Sequence, residues 1–152
     1  MRWQQWLALG MVSCIGLTGC ATIGEQMASK EKSLYERLGG KPAIIAVVDD
    51  FAARVAADRR VNRFFANTDV LAFKAKLVDQ LCEASGGPCK YTGRDMKTAH
   101  QGMGVTNADY EAVVEDLVIT LDKFKFWIPQ QEKHELLAVL GPMRKEDRKS
   151  VV

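Results

Sequence analysis

Apolar residues along this chain recur at intervals of three or four positions, which is the spacing of amphipathic helices. The clearest stripe predicts a helix over residues 42–57, with Pro42 at its start. The apolar positions of this helix are Ile44, Val48, Phe51 and Val55. No segment alternates as a strand would, and no repeat is present. The pattern therefore predicts an all-α fold with one core and short connections.

Capping and turn residues divide the remaining chain into shorter helical segments. Ser33 and Glu36 have the spacing of a capping box, which opens a very short helix that Gly39 and Gly40 end. Further helices are expected at about 69–84, 96–101, 106–124 and 129–140. The expected inward stripe of the first of these is Phe73, Leu77 and Leu81.

The first nineteen residues have the character of an export signal rather than of a folded segment. Arg2 is the only charge before Glu25, and an apolar stretch follows it. This stretch is short and is interrupted by Gly, Ser and Cys, which argues against a spanning helix. We therefore predict a signal peptide over residues 1–19 and a small, polar tether over residues 20–32.

The tetrad Leu17-Thr18-Gly19-Cys20 resembles the lipobox of bacterial lipoproteins. The resemblance implies cleavage before Cys20, acylation of that cysteine, and a lipid-anchored protein in the bacterial cell envelope, facing the periplasm. An ordinary cleaved signal or an uncleaved anchor is the alternative. Ala21, rather than Asp, would imply export to the outer membrane in a Gram-negative organism.

Charge and length then limit the class of protein. Cleavage would leave 133 of the 152 residues, enough for one domain, with 20 Lys and Arg against 19 Asp and Glu because only Arg2 is lost. This near-neutral balance gives no support for a nucleic-acid partner. The single domain is expected over residues 33–143, followed by a charged tail over residues 144–152.

Two cysteines remain in the domain, Cys82 and Cys89, on either side of a Gly-Gly-Pro turn. An oxidising compartment favours a disulfide between them. Two free thiols are the alternative, and a metal site is disfavoured because no histidine or third cysteine is near in sequence.

His100 is one of two histidines, and it ends a short helical run after this turn. A lone histidine is poorly suited to acid–base catalysis, because that chemistry usually needs partner residues. One histidine is enough, however, to bind a haem iron from one side. The alternative is an ordinary core or surface histidine. His134 lies among charged residues and is expected to be exposed.

Residues 33–143 resemble the group I truncated haemoglobins. The matching motifs, in order, are Leu34-Tyr35-Glu36-Arg37-Leu38-Gly39-Gly40, Phe64-Phe65, Gly86-Gly87-Pro88, Tyr91-Thr92-Gly93, Met96-Lys97 and His100. The resemblance implies a two-on-two helical sandwich, haem b as cofactor and His100 as the proximal iron ligand. It implies that the haem contacts include Phe51, Phe64, Phe65, Phe73, Leu77, Leu81, Tyr91 and Met96.

On the distal side the chain departs from this family. Many members have a tyrosine at the position of Ala52 and glutamines at those of Phe73 and Leu77. Bound O₂ carries partial negative charge and gains about 1–3 kcal/mol from a hydrogen-bond donor, whereas CO and NO gain much less. We therefore expect weak or rapidly dissociating O₂ and relatively good CO or NO binding. Gln80 is the one polar side chain near enough to reach the pocket edge, and a surface or helix–helix contact is the preferred alternative.

In some family members the residue at the position of Lys76 binds the iron as a sixth ligand. Such binding requires a neutral amine, and the ordinary pKa of a lysine is about 10.4. The alternative is a solvated lysine or one that pairs with a haem propionate. Arg94 and Lys97 are further propionate candidates because they are close to His100 in sequence, with solvated charge as the equal alternative.

These observations predict a haem protein that reversibly binds diatomic gases (O₂, NO or CO). An envelope haem protein for electron transfer or redox sensing, with little gas binding, is the alternative. A helical lipoprotein that has lost haem is a third reading. Turnover as an NO dioxygenase would need a stable oxygen complex and an unidentified reductase.

Overall fold

The computed structural model describes residues 31–142 of the chain. The predicted signal peptide, Cys20, the tether up to residue 30 and the charged tail lie outside the described residues. Six α-helices and one short 3-10 helix make up the described part, which contains no strand. The helices are α1 (Leu34–Arg37), α2 (Gly40–Ala57), α3 (Val70–Ala84), α4 (Met96–His100), α5 (Asn107–Lys123) and α6 (Gln130–Leu140), with the 3-10 helix at Asn62–Phe65 between α2 and α3. The all-α prediction is confirmed.

Local capping explains where the helices begin. The capping box predicted at α1 is present: Ser33 Oγ accepts from Glu36 N at 3.3 Å, and the Glu36 carboxylate accepts from Ser33 N at 2.8 Å. Asp69 caps α3 by accepting from Ala72 N at 3.0 Å. Gly39 has a φ of 97°, a left-handed conformation that favours glycine, and this permits the sharp turn from α1 into α2.

Helix α2 is the centre of the domain, because it packs on both α3 and α5, while α1 packs on α2 and α6. Its predicted stripe is confirmed, with Ile44, Val48, Phe51 and Val55 all at most 7% exposed. The buried apolar side chains form two clusters. The first contains Ile44, Val48, Leu81 and Leu121 among others, and the second contains Phe51, Val55, Val61 and Ala112.

The buried face of α3 differs from the predicted stripe. Val78, Leu81 and Cys82 are the buried residues, while Phe73 and Leu77 remain half-buried. Periodicity locates an apolar stripe, but the side of the stripe that meets α2 depends on the packing angle. Phe73 and Leu77 therefore keep exposed apolar surface that an apolar group could cover.

Helix α5 buries three polar residues that the apolar pattern does not predict, Asp109, Asp116 and Thr120. Asp109 Oδ1 accepts from Arg63 at 2.5 Å, and Thr120 Oγ1 lies 3.4 Å from Arg54 Nε. Burial and the neighbouring Asp58 carboxylate raise the pKa of Asp116.

No described helix is both long and apolar enough to cross a bilayer.

Candidate functional site

The site is built around His100, the last residue of α4. Its Nδ1 lies 2.8 Å from the carbonyl oxygen of Met96, one turn earlier. A carbonyl oxygen can only accept, so Nδ1 donates in this contact, and Nε2 is the ring nitrogen that would bind a metal. In a metal-binding histidine, a hydrogen bond from the other ring nitrogen to a carbonyl fixes the tautomer and the ring plane. The half-buried imidazole is thus prepared to donate to a metal through Nε2.

Asp95 holds the short helix that positions His100. Its carboxylate accepts from Thr98 N at 2.9 Å and from Thr98 Oγ1 at 2.7 Å. These bonds lower the pKa of Asp95, which keeps the cap ionised at neutral pH. A helix of five residues has little stability of its own, so this cap and the preceding loop fix the position of His100.

A disulfide ties that preceding loop to the end of α3. Cys82 and Cys89 are bonded, with their Cα atoms 5.7 Å apart. Gly87 N donates to Cys82 O at 2.7 Å within the closed turn. A Cβ added at Gly87 would lie 2.6 Å from the Tyr35 ring and 2.7 Å from Cys82 Sγ, so this position has room only for glycine.

Tyr91 is folded onto its own loop. Its hydroxyl donates to Arg94 O at 2.8 Å, and a Cβ on Gly93 would lie 2.4 Å from its ring. Its backbone N donates to Glu83 at 3.1 Å, and burial raises the pKa of the Tyr91 hydroxyl. In this structure the Tyr91 phenol therefore stabilises the conformation of the loop.

An aromatic wall is formed by the 3-10 helix and the start of α3. The Phe65 and Phe73 rings meet edge to face, with centroids 5.3 Å apart. Phe64, Phe65 and Leu77 pack against the second cluster, in which Phe51 is buried. The structure therefore brings together five of the predicted contact residues on α2, the 3-10 helix and α3.

The predicted distal residues carry no hydrogen-bond donor. Ala52 follows Phe51 on α2, Phe73 and Leu77 lie on α3, and all three are half-buried. Gln80 Nε2 lies 3.3 Å from Met96 Sδ, a contact between α3 and α4 that agrees with the preferred alternative for Gln80. Met96 is thereby held beside the base of the His100 helix.

The other predicted site residues differ in their burial. Leu81 belongs to the first cluster, where it lines a small apolar cavity with Leu38 and Ile44. Lys76 is exposed, and its Nζ donates to Thr92 Oγ1 at 2.6 Å. Arg94, Lys97 and His134 are exposed.

Sequence reasoning missed the long-range clamp that holds the aromatic wall. Arg63 donates to Asp109 on α5, and its guanidinium lies 4.3 Å from the centroid of the Phe64 ring. Bonds from Thr106 are the main cause that lowers the pKa of Asp109. Arg63 and Asp109 are 46 residues apart, so no local spacing could have indicated the pair.

The residues present fit haem b. The donor is the imidazole of His100, whose Nδ1 faces the Met96 carbonyl, and one axial histidine is a common way to hold haem iron. The half-buried Phe65, Phe73 and Leu77 would lose further exposed apolar surface against a large apolar disc.

Comparison with known proteins agrees with this arrangement. The sequence model of a family described as bacterial-like globin matches residues 33–147. The group 1 truncated haemoglobin of Mycolicibacterium paratuberculosis is 36% identical over 114 residues, which is 75% of this chain and 82% of the relative. The one from Synechocystis is 38% identical over 120 residues, 76% of this chain and 95% of the relative.

Two solved structures have the same fold. The truncated haemoglobin of Tetrahymena pyriformis in its Fe(III) form has a TM-score of 0.71 at 36% identity, over 76% of this chain and 97% of that one. The 2/2 haemoglobin of Synechococcus, solved with covalently attached haem, has a TM-score of 0.71 at 37% identity, over 76% and 98%. The chain therefore belongs to the bacterial-like globin family, among the group 1 truncated haemoglobins with their two-on-two fold.

Proposed function

We propose that this protein binds haem b through His100 Nε2 and reversibly binds O₂, NO or CO. The observation that carries the proposal is the bond between His100 Nδ1 and Met96 O, which fixes the tautomer that a metal requires. When bound, haem supplies an iron with a coordination position for a diatomic gas. The relatives' names as haemoglobins support the same role.

The chain's own residues set the polarity around the gas. The side chains of Ala52, Phe73 and Leu77 are apolar and half-buried, and they present no donor to a bound ligand. O₂ gains most from a donor, so its affinity is expected to be low relative to that for CO. The lack of a hydrogen-bond donor also argues against efficient NO dioxygenase turnover, because that reaction needs a long-lived oxygen complex as well as an electron donor.

Optical spectra of the haem-loaded protein test the proposal directly. Ferric, ferrous, CO-bound and O₂-exposed samples should show a Soret band that shifts with each state. CO binding that is tight and O₂ release that is fast are the expected results. A protein that retains no haem after gel filtration, or that binds haem without a change on adding CO, would overturn the proposal.

Replacing Lys76 tests whether the iron of the resting protein has a sixth ligand from the chain. The bond from its Nζ to Thr92 supports a lysine outside the pocket. We expect a ferric spectrum that stays high-spin up to alkaline pH and is unchanged in Lys76→Ala. A low-spin spectrum that Lys76→Ala converts to high-spin would assign a sixth ligand and favour the electron-transfer alternative.

We further propose that residues 1–19 are removed and that Cys20 carries a lipid anchor that holds the globin at the bacterial envelope, facing the periplasm. The lipobox-like tetrad before Cys20 supports this. Labelled palmitate should enter the full chain and the Cys14→Ser variant, but not Cys20→Ser. Equal labelling of Cys20→Ser and the parent would refute the anchor.

A further inference from the structure

The turn between α5 and α6 presents two large apolar side chains to solvent. Phe126 is 87% exposed and Trp127 is 71% exposed. Phe124 and Ile128, from the same turn, instead pack into the first cluster, and Ile128 is 3% exposed. The backbone N–H groups of Trp127 and Ile128 donate to Phe124 O at 2.8 and 2.9 Å. The turn is thus anchored from within, and this anchoring fixes the outward direction of Phe126 and Trp127.

Basic groups accompany these aromatic rings. Residues 123–131 contain Lys123 and Lys125 and no Asp or Glu. Lys125 Nζ lies 5.6 Å from the centroid of the Phe126 ring. Asp50 pairs with Lys123, and Asp122, just before the turn, pairs with Lys133. Aromatic rings flanked by lysines match the interface of an anionic bilayer, where Trp and Tyr are enriched and Lys meets negative headgroups.

We propose that residues 123–128 dock on the surface of an anionic phospholipid bilayer, with Phe126 and Trp127 entering the headgroup region. The nearness of a bilayer rests on the proposed lipid anchor at Cys20. The ten residues between Cys20 and Glu31 span at most about 40 Å. Tethering over this distance gives a weak docking surface a high effective concentration of membrane.

Docking of this kind would orient the globin on the membrane. The contact is peripheral, because no helix within residues 31–142 is suited to cross the bilayer. The turn follows α5, whose residues Val113 and Leu117 pack against the second cluster, as Phe64 and Phe65 of the aromatic wall do. The docked domain would therefore hold α5 and the haem site in a fixed orientation to the lipid surface.

The test uses the haem-loaded chain from Ala21 to Val152, which lacks the acylated cysteine. This part contains the whole globin, since 76% of the chain covers 97% of the Tetrahymena globin. The parent should sediment with vesicles of phosphatidylcholine and phosphatidylglycerol. The Phe126→Ser, Trp127→Ser double variant should bind these vesicles about tenfold more weakly. Leu71→Ser is the matched control, because Leu71 is 77% exposed on α3 and should have no effect.

A second measurement on the unchanged sequence guards against misfolding of the variant. Vesicles should slow amide hydrogen exchange in residues 123–128 and leave exchange in residues 70–76 unchanged. Equal binding by the parent and the double variant, or equal loss in Leu71→Ser, would overturn the proposal. A dimer of the parent that the double variant abolishes, without vesicle binding, would assign the turn to self-association instead. Because Cys20 is absent, none of these results depends on the acylation test.

Discussion

Ala52 is predicted to lie on the distal side of the haem, where its side chain offers no hydrogen-bond donor to a bound gas. It is half-buried beside Phe51 and carries no polar atom in its side chain. We predict that Ala52→Tyr slows O₂ dissociation about tenfold, because a phenol donor stabilises bound O₂. Stopped-flow displacement of O₂ by CO measures this rate.

Ala52→Phe is the control for added volume, since it lacks only the hydroxyl. It should leave the O₂ rate close to that of the parent. Equal slowing in both variants would mean that the pocket responds to filling rather than to polarity, and the account of the distal side would be wrong.

Asp116 is a second residue with a measurable consequence, because burial raises the pKa of its carboxyl. Ionising a group with a raised native pKa costs stability as the pH rises through that pKa. Asp116→Asn should therefore raise the free energy of unfolding at neutral pH by about 1 kcal/mol. Urea unfolding at several pH values checks this: the gain should vanish below about pH 3.9, where aspartate is protonated in both states.

Asp109→Asn is expected to behave in the opposite way. Bonds from Thr106 are the main cause that lowers the pKa of Asp109, so its contribution is present at neutral pH and is lost as the pH falls through the lowered pKa. If the two variants have the same pH dependence, the hydrogen bonds that Asp109 accepts are not what distinguishes these two buried carboxyls.

Among the elements, the connection from α3 to α4 decides where His100 stands. The bond between Cys82 and Cys89 closes a loop with a sequence separation of 7. We predict that Cys82→Ser with Cys89→Ser lowers the free energy of unfolding by about 2.5 kcal/mol, from chain entropy. Haem loss to an acceptor globin should also be faster, because the loop before α4 is less constrained.

Reductant provides the control for this prediction. Dithiothreitol should bring the parent to the stability of the double variant and leave the variant unchanged. An unfolding curve of the parent that reductant does not move would show that the two sulfurs are not bonded in solution.

The elements also show how far the sequence predicts this molecule. Helix starts at Ser33 and Asp69 are predictable, because a cap involves residues only three apart. The bond from Arg54 to Thr120 cannot be predicted in this way, because 66 residues separate the two partners. The motif around His100 indicates the ligand, but its Nδ1 bond to Met96 O appears only when the helix is built. The outward direction of Phe126 and Trp127 likewise depends on how their turn packs.

The whole molecule is one globin domain with a proposed lipid anchor at Cys20, and its proposed function depends on His100 as the ligand that holds the haem. The deciding measurement is the Soret spectrum of the haem-loaded His100→Gly variant, with and without added imidazole, beside His134→Gly. We predict that His100→Gly loses the proximal-histidine spectrum, that imidazole restores it, and that the exposed His134 can be replaced without change. An unaltered Soret band in His100→Gly, or its loss in His134→Gly, would contradict the account.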